Sequence, residues 1–182
     1  MSLLDRNRLR LAGLGLALSL AAAAGCTVQP LYGTGGTTAS GAPMSAELAT
    51  VAVAPVGDRV SQEVRNHLIF LLSGGAGEPS AARYTAQLAV SVSDAAAASV
   101  QVGRDEEPTA SLVTVAASYT LTDDTGNRIG AGSRSAQAAY DVSRQQFAAL
   151  RASRDAQNRA AREAAELVRL AIAQDISRRP TR

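Results

Sequence analysis

Two stretches of strict alternation constrain this chain more than anything else in it. Tyr84, Ala86, Leu88, Val90 and Val92 alternate with Thr85, Gln87, Ala89, Ser91 and Ser93. Val113, Val115, Ala117, Tyr119 and Leu121 do the same against Thr114, Ala116, Ser118 and Thr120. A period of two sends the larger side chains to one face of a sheet and the small polar ones to the other, so one face must be covered. Asp123-Asp124-Thr125-Gly126-Asn127 reads as a hairpin turn with Gly126 free to take positive φ. A return strand follows over residues 128–140, rich in Gly, Ser and Ala. Residues 94–108 lack the alternation and read as a looser region with a short strand at 99–102.

The cover comes from two segments of period 3.6. Residues 48–54 form a β-branched first strand ended by Pro55. Asp58 or Ser61 then caps a helix carrying Val60, Val64, Leu68, Leu71 and Leu72, and Ser73-Gly74-Gly75 stops it. Ser143-Arg144-Gln145-Gln146 has the pattern of a capping box. Beyond it Phe147, Leu150, Ala156, Ala160, Ala164, Leu167, Val168, Ala171 and Ile172 line one side of a long helix, with Asp155/Arg159 and Arg162/Glu166 spaced for pairing. The predicted order is β-α-β-β-β-α, an α+β two-layer sandwich of two helices on a small, mainly antiparallel sheet over residues 47–177. With four Tyr, two Phe and no Trp, its core is Ala, Val and Leu, whose layers must approach closely and leave little room for a deep ligand cavity. Residues 178–182 read as a disordered tail.

The N-terminus has a different character. Arg6, Arg8 and Arg10 precede an apolar run over residues 11–24, shorter than the roughly 20 residues that span a bilayer. Ala23, Ala24 and Gly25 then lead into Cys26, the one cysteine. This is the layout of a cleaved export signal over residues 1–25, and it resembles a lipobox, with Ala23 where Leu is usual. Cleavage between Gly25 and Cys26 would leave Cys26 to carry a covalent lipid and anchor the chain to the membrane. A single cysteine excludes both a disulfide framework and a thiolate zinc cluster. The chain has 18 Arg and no Lys against 16 acidic residues, and loss of residues 1–25 leaves 15 of each. The basic hint of a nucleic-acid partner disappears with the signal. Residues 26–46 read as anchor and flexible tether, small and polar from Thr34 to Pro43.

Enzyme chemistry finds little support. His67 is the one histidine and sits beside Leu68 on a helix, as an edge residue would. Asp105-Glu106-Glu107 are adjacent loop carboxylates that repel one another, and Asp123-Asp124 has a turn to make. Neither a serine nucleophile elbow nor a phosphate-cradling glycine loop is present. No catalytic residue, metal ligand or cofactor is expected.

Cys26 followed by Pro30-Leu31-Tyr32-Gly33 resembles the mature start of the LptE family of lipopolysaccharide-assembly lipoproteins. The resemblance continues in Ser118-Tyr119-Thr120-Leu121, in the Asp-rich turn, in Tyr140-Asp141-Val142-Ser143, and in Asp155-Ala156 with Arg159-Ala160. It implies a small sheet covered by helices, lipid-anchored at the periplasmic face of the outer membrane. It also implies a role as plug of the β-barrel LptD during delivery of lipopolysaccharide to the outer leaflet. Thr27, rather than Asp, after the cysteine favours the outer membrane. Arg104 and Arg128 are the nearest exposed candidates for lipopolysaccharide phosphate or sugar-acid contact. An auxiliary lipoprotein of a lipid-transport ABC system is the alternative, since it too pairs a lipobox with a small α+β domain.

Overall fold

The computed structural model describes residues 42–102 and 105–179. The signal segment, Gly25, Cys26, Pro30, Leu31, Tyr32, Gly33 and Arg104 lie outside the described residues. The elements are α1 (Met44–Leu48), β1 (Val51–Val53), α2 (Arg59–Ser73), β2 (Tyr84–Val102), β3 (Asp105–Asp123), β4 (Arg128–Asp141) and α3 (Gln146–Ser177). The sheet order is β1-β2-β3-β4, with β1 parallel to β2 and the other pairs antiparallel. Apart from α1, this is the expected α+β order.

Leu48 is the first departure. It closes the one-turn α1 rather than opening a strand, and it is buried together with Met44. Those two apolar side chains, four apart, fold the entry of the domain onto its core, so order begins before residue 47.

The alternation works as the sequence requires on β3 and at the start of β2, where Tyr84 and Ala86 are buried; Val92, expected on the same covered face, is 41% exposed, because the strand has run out from under the helices there. Val113, Val115, Ala117, Tyr119 and Leu121 are all buried on the helix-covered face of β3. Opposite them on β4 stand Ala138, Ala136, Arg134, Gly132 and Gly130. All of these but Arg134 are small and let α3 lie close, and α3 answers with Ala156, Ala160, Ala161, Ala164 and Ala165, all buried. Alanine on both sides brings backbones together at little side-chain entropy cost.

Residues 94–102 and 105–108 are not loose. The β2–β3 ladder runs from Tyr84↔Asp123 to Val102↔Asp105, with register shifts between Ala96 and Ala98 and between Ala98 and Ser99. Pro108 pairs with Ser99 beside the second shift, and a proline cannot donate to a ladder. This ribbon continues past the last β3–β4 pair, Ala110↔Asp141, by five residues, or about 17 Å of strand. No helix covers residues 91–100, all exposed, so the apolar period that marks a covered strand is absent.

Helix α2 has the expected ends. Gly74 takes the left-handed conformation at its C-cap, and Asp58 is the N-cap. The Asp58 carboxylate accepts from the Ser61 backbone N–H at 2.9 Å and from the Ser61 hydroxyl. These bonds, the hydroxyl's foremost, hold its carboxyl below the ordinary value of 3.8. A carboxyl lowered in the folded state contributes stability above its unfolded value and loses it as pH falls through the folded one. Asp58→Ala is therefore expected to cost about 1 kcal/mol near neutrality. Urea titrations of the two proteins should converge as the pH drops below the usual carboxylate range.

Helix α3 departs from expectation at its start. Ser143 does not cap it: Gln145 is the N-cap without a side-chain bond, and the Ser143 hydroxyl accepts from the Gln145 N–H at 3.2 Å. Phe147 and Leu150, expected on the packed side, are 68% and 48% exposed. The reason is length. Arg159 donates to the carbonyl of Ala139 near the end of β4 and the first buried residue of α3 is Ala156, so the ten helical residues before it, about 15 Å at 1.5 Å each, run past the core.

Helices α2 and α3 run parallel, in register at an offset of 99: Arg59 donates to Asn158 at 2.6 Å and Arg162 to Glu63 at 3.0 Å. His67 stands 3.9 Å from Glu166. Arg162 thus reaches across to α2 instead of forming the expected pair with Glu166, whereas Asp155 and Arg159 pair within the helix at 2.9 Å.

Candidate functional site

Polar side chains with defined partners gather at the foot of the domain, where β2 begins and α3 ends. Glu47 of α1 is buried, and Arg83 donates to both its oxygens at 2.9 and 3.0 Å. The Tyr84 hydroxyl lies 3.4 Å from the same carboxylate. Arg179 donates to Asp123 at 3.0 Å and to the Tyr84 hydroxyl at 3.3 Å. The Arg83 and Arg179 guanidiniums stand 5.7 and 5.6 Å from the Tyr84 ring centre, within cation–π range. The expected tail is therefore part of the fold as far as Arg179, which ties the end of α3 to the sheet.

Asp123 has two tasks. Its Oδ1 accepts from the Thr125 hydroxyl at 2.6 Å and from the backbone N–H of Thr125 and Asn127, which builds the β3–β4 turn around Gly126 at φ 83°. Its Oδ2 takes Arg179. The Thr125 hydroxyl, ahead of the other bonds, keeps its carboxyl below 3.8. One turn of helix away, Tyr119 donates to Asp175 at 2.7 Å. Burial first, then this bond and the carboxylate charge, hold the phenol protonated well above its ordinary range.

Arg128 opens β4 beside this cluster and is exposed. It lines a cleft of about 530 Å³ together with Asp123, Asn127, Ile129, Asp175, Arg178 and Arg179. The structure thus brings Arg128 to two further arginines, which sequence reasoning had assigned to a disordered tail. Their signal was Ile176, apolar and in phase with the helix stripe, which keeps α3 on the core up to Ser177. His67 is half-buried and stacks on Phe70, 6.3 Å between ring centres, an edge position as expected. Among the described residues no group of three or more His, Cys, Asp or Glu is placed to hold a metal, and no helix is long and apolar enough to cross a membrane.

These features define a class: a four-stranded mixed sheet with its helices on one face, closed at the foot by an arginine–carboxylate cluster. The model of the LptE lipopolysaccharide-assembly family matches residues 48–172, and the chain belongs to that family. The fold is similar to that of a candidate lipoprotein from Caulobacter crescentus CB15, 24% identical over 75% of this chain and 97% of that one, with a TM-score of 0.60. Rare lipoprotein B from Shewanella oneidensis is 11% identical over 68% of this chain and 92% of that one, with a TM-score of 0.49. No curated protein sequence matches the chain significantly.

Proposed function

We propose that this chain is an outer-membrane lipoprotein, acylated at Cys26 and held at the periplasmic face, that serves as plug and assembly partner of an LptD-type β-barrel. In that role it assists delivery of lipopolysaccharide to the outer leaflet. The observation that carries this reading is the family match across residues 48–172, which takes in six of the seven elements completely or nearly so. Cleavage between Gly25 and Cys26 leaves a cysteine for several acyl chains. Each buried CH₂ adds about 0.8 kcal/mol, so several chains anchor far more firmly than one. Pro30-Leu31-Tyr32-Gly33 links that anchor to the domain. Arg128 and Arg178, which line the foot cleft, offer guanidiniums to lipid phosphates, while Arg179 is engaged with Asp123; Arg104 is assigned the same role.

Affinity purification of the tagged chain from detergent-solubilised outer membrane is expected to recover an LptD-type barrel. Recovery of inner-membrane transporter subunits without a barrel would overturn the reading in favour of an ABC-system lipoprotein. Produced in excess over the barrel, so that a bound partner cannot hold the chain, Cys26→Ser is expected to move the protein from the membrane fraction to the soluble periplasmic fraction. Retention in the membrane at the wild-type level would refute Cys26 as the anchor.

A further inference from the structure

The stripe of α3 that holds α2 does not end where α2 ends. Asn158, Arg162 and Glu166, four apart, face Arg59, Glu63 and His67. Followed toward the N-terminus at steps of three and four, the same stripe reads Arg154, then Leu150 and Arg151, then Phe147. Helix α2 begins at Arg59, level with Asn158, so three turns of α3 carry the stripe beyond it. There Phe147, Leu150, Arg151, Arg154, Asp155 and Asn158 line a cleft of about 450 Å³. Its apolar members are strongly exposed, Phe147 at 68% and Leu150 at 48%. The Arg151 guanidinium lies over the Phe147 ring at 4.9 Å.

We infer that this upper stripe is a docking lane for a short acidic segment bearing an aliphatic or aromatic side chain, supplied by the barrel partner. The inference rests on the reading of the chain as the partner of such a barrel. Charge selects the occupant. Arg151 and Arg154 flank the cleft, and its one carboxylate, Asp155, is already paired with Arg159 at 2.9 Å, so the lane presents net positive charge beside apolar surface. A partner carboxylate would pair with a guanidinium over an aromatic face, a combination in which arginine and aromatic side chains dominate binding energy. Size selects against a lipid. A cleft of this volume takes two or three side chains, not a bundle of acyl chains, and its floor is the stripe that seats a peptide helix one turn further down.

The test uses the full chain in its native host, anchored and tagged. Leu150→Glu combined with Arg151→Glu is expected to lower the co-purified barrel by about tenfold or more with an unchanged melting temperature. Phe70→Glu, at another exposed aromatic (59%) on α2, should leave recovery near the wild-type level. Equal recovery from the two variants overturns the lane. A photoreactive benzoylphenylalanine in place of Leu150 guards against a folding defect in the charge-reversed protein. Cross-linking to a barrel peptide containing Asp or Glu supports the inference, whereas cross-linking only to lipopolysaccharide or phospholipid overturns it. If the wild-type chain recovers no barrel, the proposed function fails and the lane's occupant with it; recovery unaffected at Leu150 and Arg151 removes the lane alone.

Discussion

Gly130→Ala is expected to destabilise the domain by about 3 kcal/mol, at the upper end of what one added methyl does in a packed core. Gly130 stands where β4 meets the end of α3, and a Cβ there would lie 2.1 Å from Asp175 Oδ2, 2.4 Å from its Cγ and 2.8 Å from its Cβ. The last of these matters most, because rotating the carboxylate cannot clear a contact with the Asp175 Cβ. Either α3 lifts from the sheet or Asp175 swings away and gives up the Tyr119 hydroxyl, bonded at 2.7 Å, inside a part-buried site where an unpaired group costs about 1–3 kcal/mol. Gly132→Ala is the control, since its nearest new contact is Tyr119 Cε1 at 3.2 Å, and it should cost clearly less. Urea midpoints decide the comparison. The double variant Gly130→Ala with Asp175→Gly should lose less than the two single losses combined, because removing the whole side chain, Cβ included, opens the space the methyl needs. Strict additivity would show that the close approach of α3 is not what Gly130 protects.

The glycine and alanine content of β4 shows how a readable sequence can hide its reason. Residues 128–140 were recognisable as a strand from the turn before them and the alternation opposite, but their poor β propensity looked like weakness. In the structure Gly130, Gly132, Ala136 and Ala138 are the side of the sheet that receives α3. The covered halves of β2 and β3 and both main helices were legible because burial on one face imposes a period. What was not legible lacks that imposition. Residues 94–100 of the ribbon are held by their ladder and by the Tyr140 hydroxyl, which donates to Asp94 at 2.8 Å, and have no buried face, and α1 is too short for a period. The overhang of α3 keeps the helical stripe but finds nothing in the domain to cover it. The foot cluster was hidden for another reason: Glu47, Arg83 with Tyr84, Asp123 and Arg179 come from four places in the chain, and the β2–β3 register, which sets Tyr84 opposite Asp123, the packing of α1 and the return of α3 bring them together. Arg128 could be named in advance only as an exposed arginine next to a turn.

The second large effect falls on α2. Leu68→Ala is expected to cost about 3–4 kcal/mol, within the 2–5 that burial of a leucine usually commands. Helix α2 presents a single buried stripe, Val60, Val64, Leu68 and Leu72, with Leu68 fully buried. The core it enters is shared with Ala160, Ala161, Ala164 and Ala165. Methyl groups cannot rotate into a vacated space, so the cavity left by Leu68 would persist, and its cost adds to the lost transfer energy. The arginine contacts along the α2–α3 seam do little to compensate: Arg162 is 54% and Glu63 31% exposed in their pair, and such pairs contribute about 0–1 kcal/mol. Amide exchange should therefore show α2 losing protection before the sheet does. Leu150→Ala, the same chemical change on the exposed overhang, should alter stability by no more than about 0.5 kcal/mol. Similar losses for the two leucines would mean that the overhang is packed in solution, and the lane on α3 would then not be open to a partner.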